Sequence, residues 1–143
     1  CAQHAPRRPS LHRLQPGDLW PPQLNLHGRG SPDATDDDIR AALNAPVFGG
    51  SSHLAQLKEV GTDLQIISPR PYQMMTSENP KLVQWFTEET NNIIARQMKI
   101  FPGMFVGVAG LPQVAGAPIQ EAIPELERCV TKLGFRGCLL NPD

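Results

Sequence analysis

Residues 64–109 read LQIISPRPYQMMTSENPKLVQWFTEETNNIIARQMKIFPGMFVGVA, and the fold is decided there. Leu64-Gln65-Ile66-Ile67-Ser68 is an apolar run of strand length, ended by Pro69. From about Asn79 to Ile100, Leu82, Val83, Phe86, Ile93, Ile94 and Met98 recur at helical spacings, with Glu88, Glu89, Asn91 and Asn92 between them. Pro80 falls where a first-turn proline is tolerated, and Pro102 marks the stop. Phe105-Val106-Gly107-Val108-Ala109 is a second apolar strand. Two strands joined by a crossover helix run parallel, and strands this apolar imply helices packed over the sheet.

The same alternation continues outward. Ile119, Ile123, Leu126, Val130 and Leu133 predict an amphipathic helix closed by Gly134, with Pro124 acceptable only in its first turn or two. Arg136-Gly137-Cys138-Leu139-Leu140 is the expected third strand. Upstream, Thr35 before Asp36-Asp37-Asp38 is a helix start, because a hydroxyl caps free amides and carboxylates suit the positive end of the helix dipole. That helix runs through Leu43, and Leu54, Leu57, Lys58 and Val60 suggest a second one stopped by Gly61. The order is α/β with a parallel sheet, either an open doubly wound sheet or part of an eight-stranded barrel. A complete (β/α)8 barrel takes ~250 residues, so a chain of 143 residues holds about half of one.

Residues 1–32 are of a different kind. They carry prolines at 6, 9, 16, 21, 22 and 32 and sustain no period, so they are expected to form an irregular Pro- and Arg-rich arm. Residues 33–143 form the expected α/β domain, an open doubly wound sheet or a partial barrel. The first residue is not Met, and Asn141-Pro142-Asp143 directly follows a strand-like run, so the sequence reads as a piece of a larger protein.

Composition excludes several classes. Thirteen basic against 14 acidic residues leave a net charge of −1, which gives no electrostatic case for nucleic acid or an anionic membrane. No apolar run is long enough for a membrane span, and Cys1–Ser10 shows no secretory pattern. Cys1, Cys129 and Cys138 are too few and too odd in number for a disulfide framework, which suits a reducing, cytoplasmic setting. Cys129 and Cys138 read as core residues of a helix and a strand. Among His4, His12, His27 and His53 there is no His-x-His or His-Glu-x-x-His, and no Cys-x-x-Cys, phosphate loop or dinucleotide fingerprint occurs.

In parallel α/β folds, ligand chemistry belongs at the carboxyl ends of the strands. After the first strand, Arg70 is boxed between Pro69 and Pro71, so its planar fork is preset either to bind a carboxylate bidentately or simply to sit on a rigid surface turn. Tyr72 could add a hydroxyl donor, while Met74 and Met75 read as packing residues. After the second strand, Gln113 either points its amide into the cleft or is solvated. After the third, Asn141 is placed as an active-site residue or opens an Asx turn into the next helix.

Three stretches, GTDLQIISPRPYQMM (61–75), WFTEETNNIIARQMKIFPGMFVGVAGLPQVAG (85–116) and ELERCVTKLGFRGCLLNPD (125–143), closely resemble the 4-oxalomesaconate hydratases. These belong to the amidohydrolase-related family that also holds the aminocarboxymuconate-semialdehyde decarboxylases. The resemblance covers about residues 54–143. It implies the amino-terminal half of a (β/α)8 TIM-type barrel, zinc as cofactor, and a hydro-lyase acting on an unsaturated keto di- or tricarboxylic acid in aromatic-acid breakdown. A decarboxylase or hydrolase of the same family, or an inactive truncated chain, is the alternative. In that reading Arg70 binds a carboxylate of a small-molecule substrate, with Tyr72 and Asn141 lining the same pocket. Homo-oligomers are common among such barrels. The opening Cys1-Ala2-Gln3-His4-Ala5-Pro6-Arg7-Arg8 departs from the family's first strand, which carries a His-x-His metal pair. A shifted reading frame upstream of about residue 31, or divergence, accounts for the departure. No metal ligand is carried over, and the chain alone is expected to be inactive.

Overall fold

The computed structural model describes residues 34–47, 50–70 and 78–141. The expected arm, Tyr72, and the pair Met74 and Met75 lie outside the described residues. Among the described residues, four helices and two short strands are arranged around one small core. Helix α1 (Asp36–Asn44) begins as its sequence dictates: the Thr35 hydroxyl accepts from the Asp38 amide and the Asp38 carboxylate reaches back to the Thr35 amide, a complete capping box. Helix α2 (His53–Glu59) is capped by Ser52 and ends as expected at Gly61, whose φ of +71° suits a residue without Cβ. There the Thr62 amide bonds Leu57 O at 2.9 Å and the Gly61 amide bonds Lys58 O at 3.2 Å, so two of the last carbonyls are satisfied.

Strand β1 (Gln65–Ile67) pairs in parallel with strand β2 (Phe105–Gly107), in the register Gln65 to Phe105 and Ile67 to Gly107. Between them runs α3 (Pro80–Ile100), started by Pro80 in its first turn and by Asn79, whose side chain accepts from the Lys81 and Leu82 amides. At 21 residues it spans about 31 Å at 1.5 Å per residue, long enough to return the chain to the start of the next strand.

The third strand is shorter than its sequence suggested. Residues 136–139 form a single parallel bridge, Ala109 to Cys138, instead of a full strand. Their backbone nevertheless follows β2: Arg136 N–H donates to Gly107 O at 3.0 Å, Ala109 N–H to Gly137 O at 2.8 Å, and Leu139 N–H to Ala109 O at 2.8 Å. Val108 N–H donates in the other direction, to Ile67 O at 2.9 Å, so β2 is the central strand. The last helix also starts later than the apolar spacing suggested. Residues Ile119–Ala122 form a 3-10 turn, and α4 runs from Ile123 to Thr131 with Pro124 in its first turn, where its missing amide breaks no bond.

Ile94, Ala95, Ala109, Leu111, Ala122, Cys129 and Phe135 make the core, with Met98, Leu126, Leu133, Ile67 and Cys138 packed against it. Gly107 is required there, since a Cβ at that position would meet the Phe135 ring at 2.6 Å and Met98 Sδ at 2.8 Å. The buried stripe of α3 is Val83, Thr87, Asn91, Ile94 and Ala95, while the expected core residues Leu82 and Phe86 are exposed. Ile119, Ile123 and Val130 are exposed as well, and the face of α4 turned inward carries Glu125 and Cys129.

Candidate functional site

Because the strands are parallel, their carboxyl ends open on one side of the sheet. Ser68-Pro69-Arg70 leaves β1 there, Gly110-Leu111-Pro112-Gln113 leaves β2, and Asn141 follows the bridged segment. Pro69 is buried and Arg70 is exposed beyond it. With β2 between them, Arg70 and Asn141 stand two strand spacings apart, about 10 Å at the backbone. The structure therefore brings both to the same end of the sheet.

Asn141 and Gln113 are joined directly. The Asn141 amide donates to Gln113 Oε1 at 2.9 Å, and Gln113 Nε2 donates to Asn141 O at 3.3 Å. Gln113 is thus neither solvated nor aimed into a cleft; its carboxamide clasps the backbone of Asn141. The Asn141 side chain takes no part in this clasp, and its Nδ2 is buried with no hydrogen-bond partner among the described residues. A buried amide donor left unpaired costs about 1–3 kcal/mol, so this position gains from any acceptor that reaches it.

Behind the strand ends lies a polar cluster that sequence reasoning missed. Asn91 on α3 is fully buried; its Nδ2 donates to Gly110 O at 3.0 Å and its Oδ1 accepts from the Gly110 amide at 2.9 Å. The same Nδ2 donates to Glu125 Oε1 at 2.7 Å. Arg128 grips Glu125 with Nε to Oε2 and Nη2 to Oε1, both at 2.7 Å, and reaches Asn92 Oδ1 with Nη1 at 2.8 Å. Burial pushes the Glu125 carboxyl up, but hydrogen bonds from Arg128, Asn91 and Cys129 and the Arg128 charge together leave it below the ordinary range. The one available signal was Asn91 standing on the apolar stripe through Val83 and Ile94, which the spacing alone could not pair with a residue on another helix.

The remaining titratable candidates are structural. Cys129 Sγ donates to Glu125 Oε1 at 3.3 Å, and burial beside the Glu125 charge pushes the thiol up to about 12, so it is no nucleophile at neutral pH. His53 Nε2 lies 2.9 Å from Gln65 Oε1, at the amino end of β1 and away from the strand-end site. Among the described residues no group of three or more His, Cys, Asp or Glu could hold a metal ion.

Parallel strands with crossover helices packed over them define a segment of an α/β barrel. The amidohydrolase family profile matches residues 17–143, and the chain belongs to that family. It is 42% identical over 114 residues to the 2-keto-4-carboxy-3-hexenedioate hydratase of Sphingobium sp. (strain NBRC 103272 / SYK-6), covering 78% of this chain and 31% of that protein. Among solved structures it is similar to 4-oxalomesaconate hydratase, LigJ, of Rhodopseudomonas palustris, with a TM-score of 0.65 at 29% identity over 85% of this chain and 36% of that one. A 2,6-dihydroxybenzoate decarboxylase solved with 2,6-dihydroxybenzoate follows, with a TM-score of 0.53 at 27% identity over 62% of this chain and 26% of that one. The chain thus spans about a third of the length of the hydratases it matches, and its fold is an incomplete barrel.

Proposed function

We propose that the chain is the amino-terminal part of a hydratase acting on an unsaturated keto di- or tricarboxylic acid such as 4-oxalomesaconate, in the breakdown of aromatic acids in the cytoplasm. The observation that carries this is a pair of hydrogen-bond donors, the Arg70 guanidinium and the unpaired Asn141 Nδ2, at the same end of the parallel sheet. Such a pair suits a substrate rich in acceptor oxygens. Arg70 binds one carboxylate through its fork, Asn141 donates to a second carboxylate or carbonyl oxygen, and Tyr72 adds a hydroxyl from the segment after Arg70. Together they hold the alkene while water adds across it, hydroxide to one carbon and a proton to the other. The greater likeness to hydratases, 42% identity in one and a TM-score of 0.65 in another against 0.53 for the decarboxylase, favours hydration over decarboxylation.

Zinc is the metal we expect of the complete enzyme. The described residues do not fit a zinc site, so no ligand is assigned to this chain and no step is derived through the metal. The chain alone is expected not to turn over. The test grafts residues 54–143 in place of the aligned segment of the Sphingobium hydratase. Hydration of that enzyme's substrate by a folded, metal-loaded chimera supports the proposal; a folded, loaded chimera without turnover contradicts it. Turnover by the ungrafted 143-residue chain would overturn the expectation that it is inactive.

A further inference from the structure

The Asn91–Glu125–Arg128 cluster plays no part in the reading above, yet it ends on the backbone of the strand-end loop. Glu125, ionised, only accepts hydrogen bonds, so the Asn91 carboxamide must turn its Nδ2 toward Glu125 Oε1, at 2.7 Å. That choice leaves Asn91 Oδ1 facing the Gly110 amide at 2.9 Å, while the second hydrogen of Nδ2 meets Gly110 O at 3.0 Å. Both polar groups of one peptide residue are pinned by one side chain whose orientation a buried charge sets. Arg128 keeps that charge in place from the rim with two bonds of 2.7 Å.

From Gly110 the chain reaches Gln113 with little freedom. Leu111 is 3% exposed in the core, Pro112 has a fixed φ, and the Gln113 amide donates to Leu111 O at 2.8 Å. Gln113 then repeats the device, clasping the Asn141 backbone at 2.9 and 3.3 Å. We infer that Asn91 and Glu125 are positioning residues of the ligand-binding end: Glu125 orients Asn91, Asn91 pins Gly110, and the stiff step to Gln113 holds Asn141 in place. The inference rests on the reading that Asn141 lines the site, but its test requires no ligand.

The test is amide hydrogen exchange of the 143-residue chain by NMR, following Gly110 and Asn141, with Ile94 in the middle of α3 reporting global opening. In Glu125→Gln, exchange at Gly110 and Asn141 rises ~tenfold or more beyond any change at Ile94, a local opening of about 1.4 kcal/mol. Gln113→Leu speeds Asn141 alone, whereas Gln113→Glu, which keeps the acceptor, leaves Asn141 protected. Should Glu125→Gln not fold, Arg128→Lys, which retains charge but loses the fork, is read in the same way and gives the same pattern. A merely structural role speeds all three amides together and overturns the inference. So does faster exchange at Gly110 with Asn141 unchanged. A failure of the ligand reading instead leaves these rates as predicted and appears only in substrate kinetics.

Discussion

Asn91→Ala gives the sharpest stability test, because the side chain is fully buried and its partners can be counted. Truncation removes the acceptor of the Gly110 amide at 2.9 Å, the donor to Gly110 O at 3.0 Å and the donor to Glu125 Oε1 at 2.7 Å. Glu125 Oε1 keeps Arg128 Nη2 at 2.7 Å and Cys129 Sγ at 3.3 Å, so its loss is the smallest of the three. Gly110 is buried and has no other bond for either group among those described, so two orphaned backbone groups at about 1–3 kcal/mol each dominate. A water entering the vacated volume returns part of this, and the expected loss is about 3–5 kcal/mol, a large share of the stability of a small domain. The assay is urea unfolding followed by circular dichroism, compared with Asn44→Ala. Asn44 also makes one side-chain bond, to Arg40 O at 2.8 Å, but in an exposed position, so its loss should stay under about 0.5 kcal/mol. A loss below about 1 kcal/mol in Asn91→Ala would mean that Gly110 finds other partners, and the assignment of the cluster would be wrong.

Other outcomes follow from single contacts. Gly107→Ala places a methyl within 2.6 Å of the buried Phe135 ring and 2.8 Å of Met98 Sδ, so it should cost about 1–3 kcal/mol in the same assay, and a neutral result would refute the close packing on β2. Glu125 has a depressed pKa when folded, so its stabilisation is complete above the ordinary glutamate range and fades as pH falls through the folded value. The stability gap between the parent chain and Glu125→Gln should therefore narrow from pH 7 toward pH 3, whereas a constant gap would contradict the buried charge. Cys129, buried and pushed up to about 12, should resist a thiol reagent at pH 8 until the chain is unfolded in urea, read by peptide mapping that separates it from Cys1 and Cys138; rapid labelling of Cys129 itself in the folded chain would show that α4 is not docked as described.

Much of the fold was legible because its signals are local. The Thr35 cap, the Asn79-Pro80 start and the Gly61 stop all act within a few residues of themselves, and each formed as expected. Apolar periodicity located the helices but misjudged their inward faces. It marks a face as apolar without saying what covers it, and Leu82, Phe86, Ile119, Ile123 and Val130 are all exposed. In a complete barrel such faces are packed by neighbouring elements. The 3-10 turn before α4 was hidden because Ile119 and Ile123 keep the helical step, although the true helix starts only at Ile123 with Pro124 in its first turn. Asn91 and Glu125 were invisible for another reason: they lie 34 residues apart, and nothing in the spacing of either helix says that one buried polar residue answers another. At the candidate site, the strand ends singled out Arg70 and Asn141, but the clasp of Gln113 on the Asn141 backbone joins residues 28 positions apart and leaves no local signal.

The central claim is that Arg70 grips a substrate carboxylate at the carboxyl end of β1. The most direct test is steady-state kinetics of Arg70→Ala in the chimeric hydratase. Losing a charge-assisted fork of about 1.5–3 kcal/mol should raise KM by ~tenfold or more while kcat changes far less. A KM equal to that of the unsubstituted chimera would contradict the account.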